Sequence, residues 1–456
     1  MAEMPEASRP AQPRVALATL GCKLNQYETE AIREQFLRAG YRVVSFDEAA
    51  DVYVVNTCTV TSHSDHDSRR LARQAKRRCP QALVVVTGCY AQTDAEALAS
   101  IPAVDLVVGN AEKARLVELA AQQAQGVYVS DIRQHRRFAE PCVDGFGEHT
   151  RAFVKVQDGC DSACTYCIVP QARGPSRSRP PDDVVEQVRR LVDAGYKEVI
   201  LVGIHLGAYG QDLDDNIRLA DLVQRIVEAP GLGRARLSSI EPCEVDERLI
   251  ELARDSAKVC RHFHIPLQSG DDEVLRRMGR PYTSATYAEL VEGIAGEIPG
   301  CGIGADVMVG FPGETEEAFA RTQRLVESLP LTYLHVFSYS PRRGTPAAQM
   351  APQVQEETKK RRCHELRDLS QRKLATFCQS LVGQTLEILI EDRPAEEALL
   401  TGLSDNYVRA HFEGPPGLAG QIAPVAATRS LGGGVTGRLG RKALTAAEGS
   451  GERRTQ

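Results

Sequence analysis

A chain of 456 residues has room for about three domains and a sizeable core. With 42% hydrophobic and 25% charged residues it has an ordinary soluble composition; no apolar run approaches the roughly 20 residues of a membrane helix, and the start MAEMPEASRPAQPR lacks a signal-like apolar region. A net charge of −6 excludes global attraction to nucleic acid, and thirteen Cys, an odd number without a signal peptide, argue for a reducing cytoplasm and metal chemistry over a disulfide framework.

Residues 1–13 read as a disordered leader. From residue 14 to about 125, the apolar runs VALATL, YRVV, DVYVVN, LVVVTG and VDLVVG alternate with amphipathic stretches, the rhythm of a parallel sheet covered on both faces. An α/β three-layer domain is expected. Cys22, Cys58 and Cys89 each come just after such a run, in TLGCKLNQ, VVNTCTVT and VVTGCYAQ. Strand carboxyl ends form the ligand-binding edge of an open parallel sheet, so the three should converge. On the residues alone, a second metal site and three buried structural Cys both stay open. Residues 126–150 carry Gly, Pro and charge and read as a linker.

The next run, Ala152 to Val156, leads directly into GCDSACTYC. Cys160, Cys164 and Cys167 lie close enough on one loop to share a metal centre. An iron–sulfur cubane normally takes four thiolates, so three leave one iron open for a small ligand. The spacing resembles the CxxxCxxC signature of radical S-adenosylmethionine (SAM) enzymes. Zinc loops usually come as two separated Cys pairs, which makes zinc the lesser reading.

Between residues 151 and about 378, AFVKVQ, EVILVG, RARLSSI, HFHIPL, IGADVMVG and YLHVFSY are candidate strands, with periodic stretches starting near Asp182, Ile217, Asp246, Asp271, Thr283 and Glu314. Six βα units imply a partial TIM barrel, with its site at the strands' C-terminal ends. Four of those ends are polar or Gly-rich: His205 to Gly210, Ser238 to Glu241, His264 to Gly270 and Asp306 to Glu314. TLEILIED, GLSDNYVRAHFEG and QIAPVAAT then predict a small antiparallel β-barrel over 379–430. Residues 431–456, Gly-rich and basic, read as a disordered tail.

Two basic clusters are candidate RNA contacts: SRRLARQAKRR, with Arg69, Arg70, Arg73, Lys76, Arg77 and Arg78, and ARGPSRSRP, with Arg173, Arg177 and Arg179. A third, KKRRCHELRDLSQRK, is offset by acids and reads as an ordinary exposed helix.

TLGCKLNQYETE, VVNTCTVT, GCDSACTYCIVPQARGPSRSRP, HIPLQSG and GFPGET, in that order, closely resemble the radical SAM methylthiotransferases over about residues 14–430. GCKLNQYETE and SSIEP look most like the branch acting on N6-threonylcarbamoyladenosine at tRNA position 37. The branch for isopentenyladenosine usually carries GCQMN at the first site, and a third branch modifies an aspartate of a ribosomal protein; these are the alternative substrates. Gln171, where an aromatic is common, and Ala163, where a bulkier residue is common, depart from the pattern without touching a thiolate.

The resemblance implies two 4Fe-4S clusters, an auxiliary one on Cys22, Cys58 and Cys89 and the SAM cluster on Cys160, Cys164 and Cys167. It places Tyr166, Ser239, Gln268 and Gly310 around SAM and makes the C-terminal barrel a TRAM-like RNA module. The implied reaction is methylthiolation of adenine C2, with the tRNA anticodon loop, an electron donor and a sulfur donor as partners. The C2–H bond is unactivated and no side-chain base could ionise it at neutral pH, which is why a radical is required. No residue is assigned as acid or base.

Overall fold

The computed structural model describes residues 12–138, 142–147, 149–214, 217–391, 399–415 and 417–440. They fall into two units, the first formed by the chain up to His135 together with a short piece ending at Val143 and the stretch Ile168–Gly174. In it, strands β1 (Arg14–Thr19), β2 (Arg42–Val44), β3 (Val52–Thr57), β4 (Leu83–Gly88), β5 (Leu106–Val108) and β6 (Gly126–Tyr128) form one parallel sheet in the order 2-1-3-4-5-6. Helices α1 (Lys23–Arg38), α2 (Ser62–Arg78), α3 (Cys89–Thr93), α4 (Ala95–Ala99) and α5 (Leu116–Ala121) connect them, and α6 (Val169–Arg173) joins from later in the chain.

Every residue of β3 and β4 is buried, as strands with helices on both faces must be. One apolar layer gathers around Tyr53, Ala72 and Val86, the other around Ile32, Phe36 and Val85. The three-layer expectation holds for this unit. Gly126–Tyr128 corrects the linker boundary, because three residues read as linker pair with β5 at the sheet edge. Their single buried-face signal was too short to stand out: Gly126 and Val127 are exposed.

The second unit contains β7 (Ala152–Lys155), β8 (Gln157–Asp158), β9 (Arg177–Ser178), α7 (Pro181–Asp193), β10 (Glu198–Val202), α8 (Leu219–Val227), β11 (Arg234–Leu237), α9 (Glu247–Asp255) and β12 (His262–His264). It continues through α10 (Asp272–Met278), α11 (Ser284–Glu297), β13 (Gly302–Val309), α12 (Glu316–Ser328), β14 (Tyr333–Ser338) and α13 (Glu356–Ser380). Two three-stranded parallel sheets, 11-10-7 and 12-13-14, meet through the bridges Ala235–Val259 and Ser239–His264, giving the expected six-stranded partial barrel. Helix starts follow local chemistry. Asp246, Asp271, Thr283 and Thr315 each accept a hydrogen bond from a backbone N–H of the first turn, which sets α9 to α12 within two residues of the predicted positions.

Strands β15 (Thr385–Ile390), β16 (Leu400–Ser404), β17 (Arg409–Glu413), β18 (Ile422–Ser430) and β19 (Gly434–Leu439) close a barrel in the order 15-16-17-19-18 around Ile388, Phe412 and Val425. β19 corrects the boundary at 430: the fifth strand lies inside the stretch read as tail. Its glycines, which suggested disorder, are required by packing, since a Cβ on Gly434 would stand 2.5 Å from the Arg409 carbonyl oxygen and one on Gly437 2.4 Å from Val425 Cγ1. The leader up to residue 11 and the tail from 441 lie outside the described residues.

The turn Ser404–Tyr407 meets the N-terminal ends of the central strands. Arg234 donates to the Leu403 carbonyl at 2.8 Å, and Arg236 to those of Ser404 and Asp405 at 2.8 and 2.9 Å. Glu198 holds both guanidinium groups, at 2.6 and 2.8 Å. Tyr407 stacks on His262 with centroids 4.5 Å apart. Among the described residues, no helix is long and apolar enough to cross a membrane.

Candidate functional site

β1, β3 and β4 are neighbours in the sheet, so Cys22, Cys58 and Cys89, one after each strand, reach the same edge. Cys22 is the N-cap of α1, Cys58 lies between β3 and α2, and Cys89 opens α3. Gly21 lets the first two loops touch: its φ is +98°, and a Cβ there would fall 2.6 Å from Cys58 Cβ and 2.8 Å from Cys58 Sγ. Burial pushes the Cys58 thiol up to about 12, and nearby Cys89 and Cys22 add to the rise. Burial also raises Cys89, against the opposing pull of Arg173 and Lys113.

Crowded thiols that resist ionisation when empty are stabilised as thiolates by a metal, so this donor set fits a cluster. A buried ionic group supports it. Glu28 accepts from Lys113 and, at 2.6 Å, from Arg173 Nη1, while Arg173 Nη2 donates to Asn25 Oδ1 at 2.7 Å. The Asn25 amide donates in turn to the carbonyls of Leu20 and Thr57, at 2.6 and 3.0 Å, and so ties together the chain just before Cys22 and just before Cys58.

In the second unit the half-buried thiols of Cys160, Cys164 and Cys167 sit on the loop that leaves β8. Thr165 pins this loop, its N–H donating to Met278 O at 2.9 Å and its hydroxyl to Arg277 O at 2.8 Å. Cys160 Sγ is 3.5 Å from His205 Nδ1 and accepts from the Ser162 N–H at 3.4 Å. Burial opposes the Cys160 thiolate, but these hydrogen bonds outweigh it and hold the thiol below its usual range. Burial likewise disfavours charged His205; its contacts with Cys160 and with Glu244, 2.7 Å away, prevail and raise it to about 10. Arg280 donates to Cys164 Sγ at 3.3 Å and also pairs with Glu241. Three thiols on one loop with two cationic partners fit a cluster that takes three protein ligands.

The four residues expected around SAM all follow strands of the partial barrel. Tyr166 packs from the Cys loop against the apolar cluster that contains Met278, Met308 and Phe311. Ser239 is exposed and bridges to His264 through the backbone. Gln268 is buried at a left-handed φ of +63°, and its Oε1 has no hydrogen-bond partner among the described residues. A strained residue with an unsatisfied buried acceptor is what a ligand contact requires. Gly310 differs: its N–H already donates to Glu314 Oε2 at 2.6 Å, which leaves only its carbonyl and Cα for a ligand. The His205–Glu244 pair falls in and just beyond the polar strand ends GIHLGAYG and SSIEP, whereas Arg280 carried no signal in its local sequence.

The two basic clusters have opposite fates. On α2, Arg69 bonds Tyr90, Lys76 pairs with Asp105 and Arg78 with Asp47, while Arg70, Arg73 and Arg77 form an exposed stripe. Arg173, Arg177 and Arg179 are buried, held by Glu28, Asp158 and Gln187. The expectation that they touch RNA is therefore corrected: they are internal ion-pair and hydrogen-bond partners. Lys359 and Arg362 of the third cluster are buried too, paired with Glu356 and Glu314.

Two family models match, Uncharacterized protein family UPF0004 over residues 14–109 and the Radical SAM superfamily over 154–326. The chain is 42% identical over 419 residues to the threonylcarbamoyladenosine tRNA methylthiotransferase MtaB of Bacillus subtilis (strain 168), covering 90% of this chain and 93% of the relative. The MtaB of Aquifex aeolicus (strain VF5) is 40% identical, with 88% and 97% covered. The tRNA-2-methylthio-N(6)-dimethylallyladenosine synthase of Geobacillus thermodenitrificans (strain NG80-2) is 34% identical, with 94% and 84% covered. Among solved structures, the radical S-adenosylmethionine methyltransferase TsrM of Kitasatospora setae shares the fold, with a TM-score of 0.52 at 16% identity over 74% of this chain and 77% of that one. The two models match separate stretches of the chain where the MtaB relatives run through nearly all of it, and the chain belongs to the MtaB-type methylthiotransferase family.

Proposed function

We propose that this radical SAM enzyme places a methylthio group on C2 of N6-threonylcarbamoyladenosine at position 37 of tRNA, using two 4Fe-4S clusters, one on Cys22, Cys58 and Cys89 and one on Cys160, Cys164 and Cys167. The observation that carries the reading is the pair of three-thiol sets, one spread over the carboxyl ends of β1, β3 and β4 and the other on the single loop that follows β8. When bound, the central cluster with SAM would supply the homolytic chemistry that an unactivated C–H bond requires, and the auxiliary cluster would supply or carry the sulfur.

The chain's own residues hold and aim these groups. His205, fixed by Glu244, donates toward Cys160 Sγ, and Arg280 toward Cys164 Sγ; both favour thiolate over thiol. Gln268 offers SAM the buried acceptor that the protein leaves unpaired. Tyr166 carries the Cys loop onto the apolar layer of Met278 and Met308, which keeps water from its inner side. Asn25 and Arg173 brace the loops of the auxiliary thiols. The anticodon loop, being single-stranded, can present base 37 out of its stack at low cost. The electron and sulfur donors are separate partners, and the barrel β15–β19 is read as a TRAM-like RNA module.

Mass spectrometry of tRNA nucleosides from cells lacking the chain tests the assignment. Loss of 2-methylthio from threonylcarbamoyladenosine alone is the expected result. Its retention, with loss from isopentenyladenosine instead, overturns it.

A further inference from the structure

The inner face of β12, β13 and β14 carries a group of side chains that the cluster chemistry does not use. His264 Nε2 lies 2.9 Å from Asp306 Oδ1, and His335 Nδ1 lies 3.4 Å from the same oxygen. The three ligand atoms all fall within 4.8 Å of one another. Strand register places them together: Asp306 is opposite His335 and Gly304 opposite His264, so all three project from one face while Ile303, Ala305 and Val307 are buried on the other. His335 is 61% exposed, so the group is open to solvent on one side, whereas His264 is 7% exposed and fixed. Tyr333 Oη, 3.1 Å from His264 Nδ1, holds that ring from its far side, and Nε2 is hydrogen-bonded to Asp306 Oδ1, the contact a cation would take over.

Two imidazoles and one carboxylate on adjacent strands, with an outer hydrogen bond orienting the buried ring, form a donor set for a first-row divalent ion with positions left over. We propose that His264, Asp306 and His335 hold one such divalent cation, whose open positions face the interior of the partial barrel. Just above it on the same face, Met308 belongs to the apolar cluster against which Phe337 and Tyr166 of the Cys loop both pack, and Gln268 pairs with Val307, the residue after Asp306. The cation therefore stands beside the expected SAM pocket. Resting on the function proposed above, its ligand is the threonyl carboxylate of the modified base, a hard oxygen donor that an isopentenyl group lacks.

Mn2+ is the probe. Titrated into the cluster-loaded enzyme and followed by electron paramagnetic resonance, it should bind at one ion per chain. His335→Ala, which removes an exposed ring, should weaken binding at least ~10-fold with iron content unchanged, as should Asp306→Asn. No bound Mn2+, or equal binding by His335→Ala, overturns the site. An anticodon stem–loop carrying threonylcarbamoyladenosine should change the bound Mn2+ spectrum where the unmodified stem–loop does not; identical spectra overturn the carboxylate contact. The first titration needs no RNA, so it decides the metal site even if nucleoside analysis assigns the enzyme another base.

Discussion

At the N-terminal ends of β10 and β11, Glu198, Arg234 and Arg236 are almost wholly buried and each is paired, to one another and to carbonyls of the barrel turn. At the C-terminal ends of the central strands, His205 leans on a thiol, Ser239 is exposed and Gln268 keeps an acceptor without a protein partner. At one end Glu198 and its two arginines satisfy one another and hold the fold; at the other Gln268 Oε1 has no partner among the described residues and waits for a ligand. Substitutions at the two ends should therefore separate stability from chemistry.

The largest effect is expected at the open end. Cys164→Ala should reduce formation of 5′-deoxyadenosine from SAM to background and remove about four of roughly eight irons after anaerobic reconstitution, with the thermal midpoint of the metal-free protein unchanged. Cys58→Ala should also lose about four irons yet retain SAM cleavage. Equal loss of cleavage in both variants would mean that the two thiol sets do not act as separate sites.

At the closed end the expectation reverses. Glu198→Gln leaves two buried guanidinium groups without their carboxylate and should cost about 3–5 kcal/mol of stability, with cluster ligands intact. Burial works against ionised Glu198, but Arg236 and Arg234 overcome it and lower its pKa to about 2. A depressed carboxylate gives stability that is fully present above its unfolded value of about 4.3 and is lost as pH falls through the folded value. Acid titration of wild type should accordingly show a loss of about 3 kcal/mol over that window, and Glu198→Gln should flatten it. A wild-type profile no steeper than the variant's would break the comparison.

Gln268→Ala is the sharper test of the open end. Because Oε1 makes no hydrogen bond in the protein, its removal should change stability by less than about 1 kcal/mol, while SAM binding weakens ~10-fold by loss of a charge-assisted contact. A stability loss with unchanged SAM affinity would move Gln268 to the structural side.

Much of this was legible in the sequence because the signals were periodic or tightly spaced. Six central strands, their helix starts and the convergence of Cys22, Cys58 and Cys89 follow from apolar runs and from where the Cys fall after them. What escaped was set by contacts distant in sequence. β19 is a strand because Arg409 and Val425 approach its glycines. Glu198 reads as an ordinary strand-start residue until Arg234 and Arg236 arrive from the next strand. Arg280 reaches Cys164 from a helix end more than a hundred residues away. Local charge density could not tell an exposed Arg from one that neutralises a buried acid.

The basic clusters give that last point its test, and the smallest expected effect. Arg73 and Arg77 lie one helical turn apart on the exposed face of α2, and Thr61 caps the start of that helix. Arg73→Glu with Arg77→Glu should leave folding intact, lower tRNA affinity several-fold at moderate salt, and shrink the slope of log affinity against log salt by about 2 if both touch phosphate. Arg177→Glu, which sets a second acid against buried Asp158, should destabilise the protein while leaving the salt slope of whatever remains folded unchanged. If both changes altered the salt slope alike, Arg177 would have to reach solvent. Buried pairing, and not the number of arginines in a run, would then have failed as the criterion for which cluster meets RNA.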